Sequence, residues 1–373
     1  MLFRPGGSGS GAECGWLEGM DQLNVAVIGY GPAGAVFHAP LIAAEPRMRV
    51  AAVVTGSAER ATQAEAEHPG VRVLPDAEAL FESSAGQIDL VVIAAPNDAH
   101  APLARTALAA GHPVVIDKPI TPTAADAREL VGLAERAGLA LSVFQNRRWD
   151  GDFLTARHLI EQGELGRVAR FESRFERWRP TLKGGWRETG GRDQAAGLLY
   201  DLGSHLVDQA LVLFGPAVSV YAQLDARREG IATDDDAFVA LTHANGIRSH
   251  LWMSAVAAQA GPRMRVLGSQ GAYVKYGLDV QEDALRAGAR PGKDGLGDQW
   301  GADDPSAWGT VGTDAASRKV ETVHGDYPAF YAGMAAALLD GAPVPVDPRE
   351  AASALDILEA ARWSAEQNSV VLL

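Results

Sequence analysis

Three groups of residues have types and spacings that can do chemistry. Gly29, Gly31 and Gly34 form G-x-G-x-x-G, with Tyr30, Pro32 and Ala33 between them. A first glycine permits a tight turn, a second lets backbone approach a pyrophosphate, and a third lets a helix pack on a strand. The free N–H groups of that helix then face the phosphates. Lys118 stands in Asp117-Lys118-Pro119, directly after the apolar run Val114 to Ile116. At the carboxyl end of a strand it faces the crevice where open α/β sheets bind ligands, although a solvent-exposed loop lysine is the ordinary alternative. Asp201, His205 and Asp208 sit at i, i+4 and i+7, a spacing that puts them on one helical face. A carboxylate one turn from an imidazole orients it and sets its proton affinity. The alternatives are a capping Asp201 with a hydrogen-bonded structural histidine, or a metal centre. No third histidine lies nearby and H-E-x-x-H is absent, so no metal site is expected.

The glycine motif carries weight through the elements around it. Asn24 to Ile28 is a short β-branched run ending at Gly29, and a helix-like stretch continues to Ala44. Arg49 to Val54, Leu90 to Ala95, Val114 to Ile116 and Ala140 to Phe144 read as further buried strands, with a helix between Ile120 and Gly138. Repeated strand–helix units imply parallel strands joined by right-handed crossovers, the doubly wound dinucleotide fold. After the second strand the chain reads Thr55-Gly56-Ser57-Ala58-Glu59-Arg60, without the carboxylate that would bond an NAD ribose. Thr55 and Ser57 can donate to a 2′-phosphate and Arg60 can pair with it. NADP is therefore expected as the cofactor, ahead of NAD, with Glu59 weakening the electrostatic case. Pro96-Asn97-Asp98-Ala99-His100 follows the third strand, and Asn97 either contacts the nicotinamide ribose or shapes a turn.

The strand–helix alternation stops after Asn146. Val168 to Arg177, Val218 to Leu224, Ala237 to Thr242, Arg248 to Ser254 and Arg263 to Gly268 alternate apolar and polar residues, which suits an open, largely antiparallel sheet with one covered face. Gly288 to Pro305 reads as a long surface loop, and Asp234-Asp235-Asp236 as a solvated turn. Pro348 to Gln367 reads as a helix with Ala351, Leu355, Leu358 and Trp363 available for packing. The expected division is a flexible tail over 1–20, a dinucleotide-binding Rossmann domain over 21–146, an α/β domain for substrate and oligomerisation over 147–346, and a C-terminal helix over 347–373 that can return to the first domain.

Composition fits this α/β reading. The chain has 373 residues, 47% hydrophobic and 21% charged, the balance of a globular protein. With 33 Lys+Arg against 47 Asp+Glu the net charge is −14, which argues against nucleic acid or an anionic membrane as partner. The longest apolar runs fall short of the ~18 residues that span a bilayer. The single cysteine, Cys14, excludes an internal disulfide and a zinc–thiolate cluster. A cytoplasmic location is expected.

Several motifs in order resemble one family. Ile28-Gly29-Tyr30-Gly31, Pro96 to His100, Asp117-Lys118-Pro119 and Asp201-Leu202-Gly203-Ser204-His205 look like the glucose–fructose oxidoreductase/inositol dehydrogenase (Gfo/Idh/MocA) family, over nearly all of Asn24 to Leu373. Phe37-His38-Ala39-Pro40, Asn146-Arg147-Arg148-Trp149-Asp150 and Gln281 to Arg286 are similar to its NADP-dependent scyllo-inositol dehydrogenase branch. Asp117 departs from the Glu that the family usually carries before Lys-Pro. The resemblance implies dimers or tetramers, and Lys118, Asp201 and His205 as the catalytic group.

The residue types then suggest a reaction. Oxidising a secondary alcohol releases a hydride to a nicotinamide and a proton to a base. His205, with an unperturbed pKa of ~6.5, suits the base, and Lys118 suits an oxyanion clamp. Asp201 would orient substrate or His205. Arg148 and Trp149, where the first domain hands over to the second, are candidate cofactor or substrate contacts, and Arg187 and Gln194 candidate polyol contacts. A cyclic polyol or sugar is the expected substrate. Other carbonyl substrates, or a dinucleotide-bound regulator without catalysis, are the alternatives.

Overall fold

The computed structural model describes residues 22–83, 87–292 and 297–373, without the side chains of Ser83, Trp186, Arg187 and Arg192. The glycine-rich tail with Cys14, and the side chain of Arg187, therefore lie outside the described residues.

The first sheet holds β1 (Leu23–Ile28), β2 (Met48–Val54), β3 (Arg72–Leu74), β4 (Leu90–Ile93), β5 (Val114–Asp117) and β6 (Leu141–Phe144). Its order is β3-β2-β1-β4-β5-β6, and every pairing is parallel. Nearly all side chains of β1, β4 and β6 are buried, as expected for strands covered on both faces. The crossovers carry α1 (Ala39–Ala44), α2 (Ala58–Glu67), α3 (Ala77–Ser83), α4 (Asn97–Ala109) and α5 (Ala124–Ala137). Capping sets their limits: the Thr123 side chain accepts from the Asp126 N–H, and Gly138 closes α5 in the left-handed conformation. The strand order reverses at β1, which opens a crevice beyond the carboxyl ends of β1 and β4.

The remainder comprises α6 (Gly151–Glu161), α7 (Trp186–Thr189), α8 (Leu198–Asp201), α9 (Gly203–Phe214), α10 (Gln281–Arg286), α11 (Pro328–Leu339) and α12 (Pro348–Gln367) with a second sheet. Its strands are β7 (Val168–Glu176), β8 (Ala217–Asp225), β9 (Asp236–His243), β10 (Arg248–Ser254), β11 (Met264–Gly268), β12 (Ala272–Lys275), β13 (Gly309–Thr313), β14 (Ala316–Val320) and β15 (Val371–Leu372). The order is β14-β13-β12-β11-β7-β10-β9-β8-β15, antiparallel throughout except where β7 meets β10. Alternating burial along β9 matches a sheet with one covered face.

Helix α9 packs on β7 and β10 and on α12, and one apolar core runs through both sheets. Helix α12 lies against α5, where Arg128 pairs with Asp356 at 2.6 Å and the Glu359 carboxylate accepts from the Ala124 N–H. Ala351, Leu355 and Leu358 are buried there, whereas Trp363 is 56% exposed. The aspartate run is not a solvated turn: Asp235 is buried and ion-paired with Arg228 at 2.8 Å, and Asp234 accepts from the Leu199 N–H. The loop from Gly288 to Pro305 is pinned by buried Trp300, whose indole N–H donates to Gln281 Oε1 at 2.9 Å. Residues 293–296 of that loop lie outside the described residues. No helix among the described residues is long and apolar enough to cross a membrane.

Candidate functional site

The glycine turn has the close contacts that its motif demands. Gly29 takes φ +95°, and a Cβ there would come within 2.6 Å of the Ala94 carbonyl oxygen. A Cβ on Gly34 would stand 2.0 Å from Gly29 O, so the following π-helical turn, Ala33–His38, can pack only with glycine. Gly31 faces open space apart from the Arg60 guanidinium, whose Nη1 lies 3.9 Å from its notional Cβ. This cradle fits a dinucleotide pyrophosphate: backbone N–H groups, no side chain in the way, and a cation at the rim. Thr55 Oγ1 accepts from the Ser57 N–H, and Ser57 caps α2. Both hydroxyls keep their protons free to donate. The Tyr30 hydroxyl donates to Glu67 at 2.7 Å, which leaves its backbone to shape the turn.

Around the end of β4, Pro96 opens α4, and Asn97 is buried with Nδ2 donating to the Gln194 carbonyl at 3.2 Å. The Gln194 amide in turn reaches Asp98 at 3.4 Å. His100 is fully buried, its two ring nitrogens each 2.9 Å from a carbonyl oxygen, those of Pro119 and Ala95. It therefore ties the end of β4 to the loop after β5.

Lys118 and Asp201 meet across the two parts of the chain. Lys118 Nζ donates to Asp201 Oδ1 at 3.0 Å and to the Asp201 carbonyl oxygen at 2.7 Å. Asp201 ends α8 and His205 lies in the first turn of α9, with Leu202 breaking the helix between them. Asp208, the third member of the i, i+4, i+7 set, faces Arg148 instead. Arg148 grips it with two bonds of 2.8 and 2.6 Å and adds Glu350 at 2.6 Å. The structure thus places Arg148 in a clamp between the 146–149 turn, α9 and α12. Trp149 packs edge-on against Phe330, their centroids 5.8 Å apart.

His205 is buried, its Nδ1 has no partner among the described residues, and its ring lies 6.2 Å from that of Phe175. Burial first, then the positive charges of Lys118, Arg147, Arg263 and Arg177, push its pKa well below the usual histidine value. That shift favours the neutral imidazole of His205 at pH 7.

Sequence reasoning missed the support behind Lys118. His38 is fully buried, with Nδ1 2.6 Å from the Tyr331 hydroxyl and Nε2 3.7 Å from Asp117 Oδ1. Burial acts to raise the Asp117 pKa, but His38 and Lys118 outweigh it and hold the carboxyl below the usual range. The signal in the sequence was the Phe37-His38-Ala39-Pro40 run, which had been given no chemical role. The other two unexplained motifs meet as well: Arg147 pairs with Glu282, Gln281 donates to the Trp149 carbonyl at 3.0 Å, and Arg286 sits over Phe37 at 5.6 Å. Together they seat the turn that joins the domains.

A cleft of about 250 Å³ opens beside Asp201, lined by Arg177, Arg179, Lys183, Glu188 and Arg228 among others. Among the described residues no three His, Cys, Asp or Glu side chains cluster as a metal site.

Comparison with known proteins accords with this geometry. Residues 23–145 match the Gfo/Idh/MocA model described as "Oxidoreductase family, NAD-binding Rossmann fold". Residues 157–373 match its companion, "Oxidoreductase family, C-terminal alpha/beta domain". The chain belongs to the Gfo/Idh/MocA oxidoreductase family. It is an NAD(P)-dependent dehydrogenase with an NAD-binding Rossmann domain. The oxidoreductase YdgJ of Escherichia coli is 43% identical over 95% of this chain and 99% of its own. The scyllo-inositol 2-dehydrogenase (NADP(+)) IolW of Bacillus subtilis is 34% identical over 95% of this chain and 97% of its own. The solved structure of yvaA from Bacillus subtilis superposes with a TM-score of 0.88 at 34% identity, covering 95% of this chain and 99% of that one.

Proposed function

We propose that this dehydrogenase transfers a hydride between NADP(H) and a secondary alcohol or ketone of a cyclic polyol or sugar. The observation that carries the reading is the Lys118–Asp201 ion pair at the carboxyl end of β5, with buried His205 one turn after Asp201. Gly29, Gly31 and Gly34 would hold the pyrophosphate, and Arg60, Thr55 and Ser57 the adenosine 2′-phosphate. When bound, the nicotinamide supplies the hydride acceptor or donor.

The chain's own residues handle the proton and the charge. An ammonium has three donors. Two of those on Lys118 are taken by Asp201, which holds Nζ in place and leaves one for the reacting oxygen. That bond stabilises negative charge on the oxygen as the C–H bond breaks. Neutral His205 is competent to accept the hydroxyl proton in oxidation. In reduction the same path runs in reverse, and the proton held on His205 returns to the substrate oxygen while Lys118 keeps its hydrogen bond to that oxygen. NADP is favoured because no carboxylate ends β2 and the Arg60 guanidinium overlooks the glycine turn. The naming of IolW as an NADP(+) scyllo-inositol dehydrogenase supports both the cofactor and the polyol.

NADPH and NADH binding by the purified protein, followed by NADP⁺ reduction across inositols and aldoses, tests the reading. Tight NADPH binding with turnover on a cyclic polyol or sugar is expected. NADPH binding without turnover on any of them contradicts the substrate assignment.

A further inference from the structure

The cleft beside Asp201 carries a cation that has no counter-ion among the described residues. Arg177 follows β7, donates its backbone N–H to the Ser254 carbonyl at 2.8 Å and lines the cleft with a half-buried side chain. Its guanidinium makes no hydrogen bond or ion pair with any described residue. Three arginines nearby are engaged: Arg147 with Asp150 and Glu282, Arg263 with Asp152 at 3.0 Å, and Arg228 with Asp235 and Glu188. The two carboxylates that act electrostatically on Arg177, Glu282 and Asp201, are already bound to Arg147 and Lys118. Burial, then Arg179, push the Arg177 pKa below its ordinary value. Arg179 and Lys183 line the same cleft with exposed side chains that pair with no described carboxylate.

Holding a guanidinium out of water without a partner is costly, and such a group is commonly completed by its ligand. Arg177 lines the same cleft as Asp201, the carboxylate that holds Lys118 Nζ, so a ligand on Arg177 lies beside the reaction centre. We propose that the substrate ring carries an anionic substituent, a carboxylate or phosphate, bound by Arg177 with Arg179 and Lys183 at the cleft mouth. This rests on the hydride-transfer reading and narrows it: the polyol or sugar is an acid. The planar fork of Arg177 takes two oxygens of the anion and fixes which ring carbon faces Lys118.

The test uses the NADP⁺-loaded protein and three probes: D-glucose, D-glucuronate and D-glucose 6-phosphate. Calorimetry gives their affinities and NADP⁺ reduction their turnover. At least one anionic probe is expected to bind about 10-fold or more tightly than D-glucose, the scale of one charge-assisted bond. Comparing glucuronate with the 6-phosphate tells carboxylate from phosphate. In Arg177→Gln that advantage collapses, and in Arg177→Lys part of it survives, while NADPH binding reports that each variant is folded. Equal affinity for all three probes, no binding of either anion, or an equal loss for glucose and the anions in Arg177→Gln overturns the proposal. Selective anion binding without NADP⁺ reduction on any probe upholds the anion subsite and counts against the hydride-transfer reading. Turnover of D-glucose without anion preference does the reverse.

Discussion

Replacing Arg60 with leucine separates the two nicotinamide dinucleotides. Its Nη1 stands 3.9 Å from the notional Gly31 Cβ, and its side chain has no partner among the described residues. The cation is therefore free to meet a phosphate at the rim of the cradle. A hydrogen bond to a charged group contributes about 1.5–3 kcal/mol, and solvent exposure places this one at the lower end. At 1.4 kcal/mol per tenfold, Arg60→Leu raises the NADPH Kd about 10-fold. NADH lacks the 2′-phosphate, so its Kd stays within about 2-fold. Fluorescence titration of wild type and variant with both dinucleotides reads the ratio. Because the site is exposed, the gap narrows as salt shortens the Debye length from about 8 Å toward 3 Å. Equal losses for NADPH and NADH, or none for either, refute the placing of a 2′-phosphate beside Arg60.

Gly34→Ala puts a Cβ 2.0 Å from Gly29 O. Dinucleotide affinity should fall at least tenfold and stability by about 1–3 kcal/mol, and an unchanged titration would contradict the packing described. Arg148→Leu strands the Asp208 carboxylate, whose side chain is 3% exposed. Urea unfolding should show a loss of about 3–5 kcal/mol, with much of it recovered when Asp208→Leu is added. A loss under about 1 kcal/mol would mean that the clamp is not structural. His205 has its pKa depressed in the folded chain, so the unfolded chain binds the extra proton. Its contribution is fully present above the unfolded pKa of ~6.5 and is lost as pH falls below it, by up to about 1.36 kcal/mol per pH unit. Wild type should therefore lose stability more steeply than His205→Gln between about pH 6.5 and 5.5. Parallel pH dependences would contradict a neutral buried His205.

Much of the first domain was readable because buried parallel strands are continuous apolar runs. Val114–Asp117 or Leu141–Phe144 reads the same in any surroundings. The short or exposed strands were not readable. All but the last residue of Ala316–Val320 are exposed, and its place in the sheet comes from its partner Gly309–Thr313 rather than from its own pattern. The Asp234–Asp236 run looked solvated because charge density says nothing of a partner seven residues away, such as Arg228. At the site, motif order and strand-end position were enough to suggest Lys118 with Asp201. Helical spacing alone misassigned Asp208, whose partner Arg148 lies 60 residues upstream. The isolation of Arg177 and the low His205 pKa arise from burial and from the charges that the fold assembles around them, and no local pattern encodes those.

In the proposed reaction Lys118 holds the reacting oxygen during hydride transfer. Single-turnover NADP⁺ reduction by wild type and Lys118→Met, on whichever polyol or sugar the wild type oxidises, tests it most directly. Lys118→Met should lose at least about 10² in the hydride-transfer rate, the scale of one oxyanion donor, with NADPH binding retained. A rate near that of wild type in Lys118→Met would contradict it.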